Sequence, residues 1–91
     1  MKFSDQVVAA LTELHPGVRR DIRRALDDLN QGKKRDVRSL RGRLAGFRRL
    51  RIGKYRLVFR HNAAGELIVE FLGPRTTVYQ NFQPPSGSAS S

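Results

Sequence analysis

"RRLRIGKYRLVFR", residues 48–60, decides the fold. Basic and apolar residues alternate through it, and Gly53-Lys54 interrupts the alternation. A period of two marks a strand with one face on a core and the other outside. Gly53 at the first central position of a two-residue loop suits a type II′ turn. The register follows from that loop: Ile52 opposite Tyr55, Arg51 opposite Arg56, Leu50 opposite Leu57, Arg49 opposite Val58. Opposed residues share a face. One face therefore carries Arg48, Leu50, Ile52, Tyr55, Leu57 and Phe59, and it has to be covered. The other carries Phe47, Arg49, Arg51, Arg56, Val58 and Arg60. Arg51 directly across from Arg56 costs stability, so folding alone does not ask for it. A plain solvated face would mix Thr, Lys and Glu over the sheet; converging arginines point instead to an anion site.

The rest of the chain supplies the cover. "FSDQVVAALTEL", residues 3–14, places Phe3, Val7, Ala10, Leu11 and Leu14 at helical spacing, with Ser4 as N-cap and Asp5 in the first turn. "HPG" at 15–17 breaks that helix. A second one carries Val18, Ile22, Ala25, Leu26 and Leu29 and stops at Gly32. "KKRDVRSLRGRLAG", residues 33–46, reads as a connector pinned to the core by Val37, Leu40 and Leu44. Strands are predicted over 47–52, 55–61 and 67–72. In the last, Leu67, Val69 and Phe71 suit the core, while Ile68 and Glu70 face the arginines, with Glu70 as a counter-ion. "MKF" leaves room for only a very short edge strand. The fold class expected is α+β: an N-terminal helical hairpin packed on one face of a small, mainly antiparallel sheet of three to four strands. Residues 1–82 form this domain, and "QPPSGSASS", residues 83–91, has the composition of a disordered tail.

Charge and composition narrow the function. The 91 residues carry 18 Lys and Arg against 8 Asp and Glu, a net charge of +10. That balance points to a polyanionic partner, nucleic acid first and an acidic protein second. With no Cys there is no disulfide framework and no Cys-based metal site, which fits a cytoplasmic protein. No apolar run approaches the roughly 20 residues of a membrane span, and "MKFSDQ" turns polar at once, unlike a signal peptide. No membrane association, metal, cofactor or small-molecule ligand is expected. Arg19, Arg20, Arg23 and Arg24 form a basic stripe early in the second helix, where the helix dipole disfavours cations. It reads either as a phosphate-binding stripe or as a solvated face. His15, in the helix turn, and His61, at a strand end, read as structural.

One resemblance draws these pieces together. Leu40-Arg41-Gly42, then "RLRIGKYRLVF" at 49–59, then "GPRTTVY" at 73–79 resemble, in this order and spacing, the RelE toxins of toxin–antitoxin pairs. The likeness covers residues 3–82. It implies a ribosome-dependent mRNA endonuclease that cuts in the ribosomal A site and is neutralised by a cognate antitoxin. It implies an active site on the exposed sheet face: Arg49 and Arg51, where the best-known member has Lys, with Arg56, Arg75 and Tyr79. Arg19, Arg20, Arg23, Arg24, Arg41 and Arg60 become the expected contacts to RNA and the ribosome. Pro74 departs from the family, whose members often carry His or a basic residue there. Two alternatives share the fold: a ParE-like toxin that poisons gyrase, and an inactive binding module. A plain single-stranded RNA binder would need more exposed aromatics.

Overall fold

The structure, a computed structural model, describes residues 1–74. Along the chain run β1 (Lys2–Phe3), α1 (Asp5–Glu13), α2 (Pro16–Asn30), β2 (Val37–Ser39), a single 3₁₀ turn (Gly42–Leu44), β3 (Arg48–Ile52), β4 (Tyr55–His61) and β5 (Leu67–Pro74). The expected hairpin forms in the expected register, with Arg51 opposite Arg56 and Leu50 opposite Leu57. Gly53 has φ 57°, the positive value a II′ loop needs at its first central residue.

Both helices pack on the apolar face of this hairpin. Val7, Ile22, Ala25 and Leu26 meet Leu50, Leu57, Phe59, Leu67, Val69 and Leu72 in one buried core. Their starts are fixed locally. The Ser4 hydroxyl accepts from the Val7 N–H, and His15 Nδ1 accepts from the Gly17 N–H with Pro16 in the first turn.

The sheet has five strands in the order β1-β5-β4-β3-β2, more than the three to four expected. β1 lies parallel to β5, and the other pairings are antiparallel. The two edge strands are two and three residues long: β1 is the very short strand that "MKF" had room for, and β2 is the one not expected. β2 was hidden because "VRS" is too short to show a period; its partner, β3, supplies the order. At the other edge α1 finishes what β1 begins. The Gln6 side chain donates to the Leu72 carbonyl at 2.8 Å and accepts from the Leu72 N–H at 2.9 Å. The Ser4 hydroxyl donates to the Glu70 carbonyl at 2.7 Å. Side chains thus satisfy the edge of β5 where no strand covers it. Phe3 belongs to β1 and not to α1, whose first residue is Asp5.

Two further expectations change. Phe71 does not face the core. Phe59 pairs with Val69 but Val58 pairs with Phe71, so Glu70 is the extra residue of a β-bulge. The bulge flips the alternation, sending Leu72 into the core and Phe71 to the outer face. The connector also divides. Val37 packs on the main core, whereas Leu40 and Leu44 cross to the other side of the sheet and join Phe47 and Phe71 around Val58.

Candidate active site

The outer face of the hairpin holds the predicted arginines, but it is not bare. Residues 40–47 fold across it as a strap. The Leu40 N–H donates to the Phe47 carbonyl at 3.0 Å, and the 3₁₀ turn closes the loop between them. Gly42 and Gly46, at φ 65° and 94°, let the chain reverse at both ends of that turn. Beneath the strap Val58 is fully buried.

The strap sorts the arginines. Arg49, opposite Val58, lies under its edge and is only 9% exposed. Its Nη1 is 3.5 Å from Asp36 Oδ1 and makes no hydrogen bond. Arg49 is thus a buried cation beneath the site and not an exposed fork as the alternation implied: it sits on the strand between Arg38 of β2 and Val58 of β4, with Asp36 beside it. Arg60, at the far end, gives its Nε to Glu70 Oε2 at 2.7 Å, so the expected counter-ion is in place. The hairpin-turn end is different. Arg51 is exposed, forms no ion pair among the described residues, and stands opposite the half-buried Arg56.

β5 borders this end. Gly73 is opposite Arg56 and Pro74 opposite Tyr55. A Cβ on Gly73 would come 3.0 Å from the Phe71 ring, so glycine is what leaves room for that ring on β5. Arg75 and Tyr79 lie outside the described residues, as does the expected tail at 83–91.

Of the expected RNA contacts, Arg41 is exposed on the strap, at the start of its 3₁₀ turn. Arg19, Arg20, Arg23 and Arg24 are exposed on α2, which packs on the opposite side of the sheet from Arg51 and Arg56. The structure does not bring the two groups together. Asp36 was missed by sequence reasoning; the signal was there, as the single acid within "KKRDVR". His15 caps α2, and His61 stacks edge-on against Phe59 with centroids 6.1 Å apart. Among the described residues no cluster of three or more His, Asp or Glu could hold a metal. Among the described residues no helix is long and apolar enough to cross a membrane.

No family model matches the chain, and no curated protein does. Solved structures do match. The toxin–antitoxin complex RelE–RelB of Pyrococcus horikoshii contains a chain 30% identical to this one, over 81% of this chain and 91% of that one, with a TM-score of 0.66. The chain belongs to the RelE family. A chain of the RelBE2 toxin–antitoxin complex of Mycobacterium tuberculosis is 27% identical over 80% of this chain and 93% of its own, at TM-score 0.68. A chain of the RelB–RelE complex of Methanococcus jannaschii, 21% identical, shares the fold over 91% of this chain and all of its own, at TM-score 0.72. The two helices on a mixed five-stranded sheet are thus the RelE fold, and the face under the strap is where this RelE chain gathers its arginines.

Proposed function

We propose that this RelE protein is the toxin of a toxin–antitoxin pair and a ribosome-dependent endoribonuclease that cuts mRNA in the A site. The supporting observation is the exposed end of the hairpin, where Arg51 and Arg56 face one another across two strands. Two guanidiniums so placed repel each other in the free protein. They gain from any ligand that brings dense negative charge between them.

A phosphodiester passing through a phosphorane is such a ligand. The 2′-oxygen of the nucleotide attacks its own 3′-phosphorus. A P–O2′ bond forms and the P–O5′ bond breaks. The 2′-proton passes to a base, and a proton reaches the departing 5′-oxygen. The products are a 2′,3′-cyclic phosphate and a free 5′-hydroxyl. Arg51, Arg56 and Arg75 stabilise the charge on the non-bridging oxygens. Arg49 adds its field from a position that water reaches poorly. Tyr79 is the candidate base or a stacking platform for the nucleotide. Arginine is a poor proton shuttle because its pKa is far above 7, so the ribosome's orientation of the mRNA supplies much of the acceleration.

Arg19, Arg20, Arg23 and Arg24 bind ribosomal RNA phosphates, and Arg41 and Arg60 line the approach of the mRNA, with Arg60 sharing its charge with Glu70. A cognate antitoxin, acidic in the segment that binds, neutralises the toxin. The reaction takes place in the cytoplasm, where the ribosomes are.

The deciding experiment adds the protein to translation complexes with a programmed, empty A site and maps mRNA ends by primer extension, with naked mRNA alongside. Cuts at the A site that need the ribosome, and that fade in Arg56→Ala, Arg75→Ala and Tyr79→Phe, are the expected outcome. Intact mRNA beside a folded, ribosome-bound protein would overturn the reading.

A further inference from the structure

Among the described residues two carboxylates reach the arginines of the outer face. Glu70 takes Arg60 by a direct hydrogen bond. The other is Asp36, one residue before β2. Val37 pairs with Leu50 and Arg38 with Arg49. Continuing that register by one step sets Asp36 opposite Arg51. Opposed residues share a face, so its side chain emerges among the arginines. Yet Arg51 forms no ion pair among the described residues. The carboxylate turns to its diagonal neighbour instead, with Oδ1 3.5 Å from Nη1 of Arg49.

Asp36 thus holds β3 at two points. Its carbonyl accepts from the Arg51 N–H at 3.1 Å, which ties the backbone that carries Arg51. Its carboxylate pairs with a buried guanidinium nitrogen that makes no hydrogen bond. The hold on Arg49 is therefore charge and not a directed bond. Charge acts strongly at that point, because Arg49 is nearly buried and water screens it poorly. The carboxylate itself is half-exposed, so it gives up little solvation to make the pair. Arg49 and Arg51 repel one another on the same face. An acid that draws Arg49 back leaves the outward position to Arg51.

We propose that Asp36 is a positioning residue of the arginine site: its carboxylate keeps the Arg49 guanidinium in its buried place while its carbonyl ties the strand at Arg51, so that Arg51 and Arg56 meet the scissile phosphate in a set geometry. The proposal rests on the endonuclease reading and adds to it a residue that touches no RNA. The competing account is a counter-ion that serves folding alone.

Asp36→Asn tests the charge by itself. The amide keeps the shape of the side chain, and the backbone bond to Arg51 is untouched. Single-turnover cleavage in complexes with a programmed A site should fall about tenfold in maximal rate, the kind of loss that misplaced groups cause. The protein concentration for half-maximal rate should stay the same. Asp28→Asn removes another arginine-paired acid, the partner of Arg35, and changes the net charge equally; it should cut like the wild type. On an Arg49→Met background Asp36→Asn should cost nothing further, because the residue it acts through is gone. Urea midpoints measured beside the rates keep folding apart from catalysis. Wild-type rates in Asp36→Asn would overturn the positioning role and leave the endonuclease reading intact. So would a change confined to the half-maximal concentration, a rate loss that tracks the midpoint, or a full second loss on the Arg49→Met background. Failure of both Asp36→Asn and Asp36→Ala to fold would make the carboxylate structural and overturn it too. If the wild type itself cuts nothing, the endonuclease reading fails and the positioning role falls with it.

Discussion

Arg49 and Arg51 lie two residues apart on one strand and point to one face, but their surroundings separate them. Arg51 is exposed, while Arg49 is nearly buried beside Asp36 and the strap. Their stability effects should therefore diverge. Arg51→Ala removes a like-charge pair and should leave the urea midpoint unchanged or raise stability by a few tenths of a kcal/mol. It should nonetheless lower A-site cleavage about 100-fold, the usual cost of losing one preorganised donor to a developing oxyanion. Arg49→Ala should cost about 1–2 kcal/mol, because a packed stem is lost and Asp36 loses its partner. Arg49→Met, which keeps the stem, should recover most of that in the same urea titration. Equal losses from both Arg49 variants would mean that the ion pair, not the packing, holds the position.

At the scale of elements, the strap and the bulge are one device. The bulge at Glu70 turns Phe71 outward, and Phe71 then meets Leu40, Leu44 and Phe47 over Val58. This small second core holds the strap against the sheet. Val58→Ala should cost about 1–3 kcal/mol, as a fully buried side chain is truncated. Combined with Leu44→Ala the effect should be less than additive, since both mutations empty the same contact. The far edge follows different physics. Gln6→Ala strands the N–H and the carbonyl of Leu72 together, at a cost of about 1 kcal/mol. Hydrogen exchange at the Leu72 amide should quicken well before global unfolding.

On the scale of the whole molecule, the chain carries a net charge of +10, and one carboxylate ties its first residue to the sheet. Glu66 Oε2 is 3.4 Å from the Met1 ammonium, with Lys2 Nζ 3.9 Å from Oε1. Desolvation pushes the Glu66 pKa up, but the hydrogen bond from the ammonium, the charge of Lys2 and the Asn62 amide outweigh it and leave the pKa below the ordinary Glu value. A lowered pKa in the folded state means stability that is present above the unfolded value, about 4.3, and is lost as pH falls through the folded one. Between pH 6 and pH 3 the wild type should lose more stability than Glu66→Gln. Parallel denaturation curves for the two would show that the tie contributes nothing.

Much of this was legible in the residues. A two-residue loop with glycine first fixes a hairpin register, and apolar spacing of about 3.6 and of 2 fixes which faces must be covered; both are local properties of the chain. So the helices, β3, β4 and the pairing of Arg51 with Arg56 could be read directly. The bulge could not, because period two continues unbroken through "LIVEF" and only the pairing with β4 reveals the extra residue. β1 and β2 borrow their order from longer neighbours. Whether an outward residue meets water or another layer depends on a strap that arrives from a distant part of the chain. The sequence by itself therefore determined the elements, the register and the charge, and with them the face where the arginines gather. Only tertiary structure decided that Arg49 is buried, that Arg60 is the arginine Glu70 takes, and that Arg51 at the hairpin's turn end stays exposed, because burial is a property of what folds over a residue and not of the residue itself.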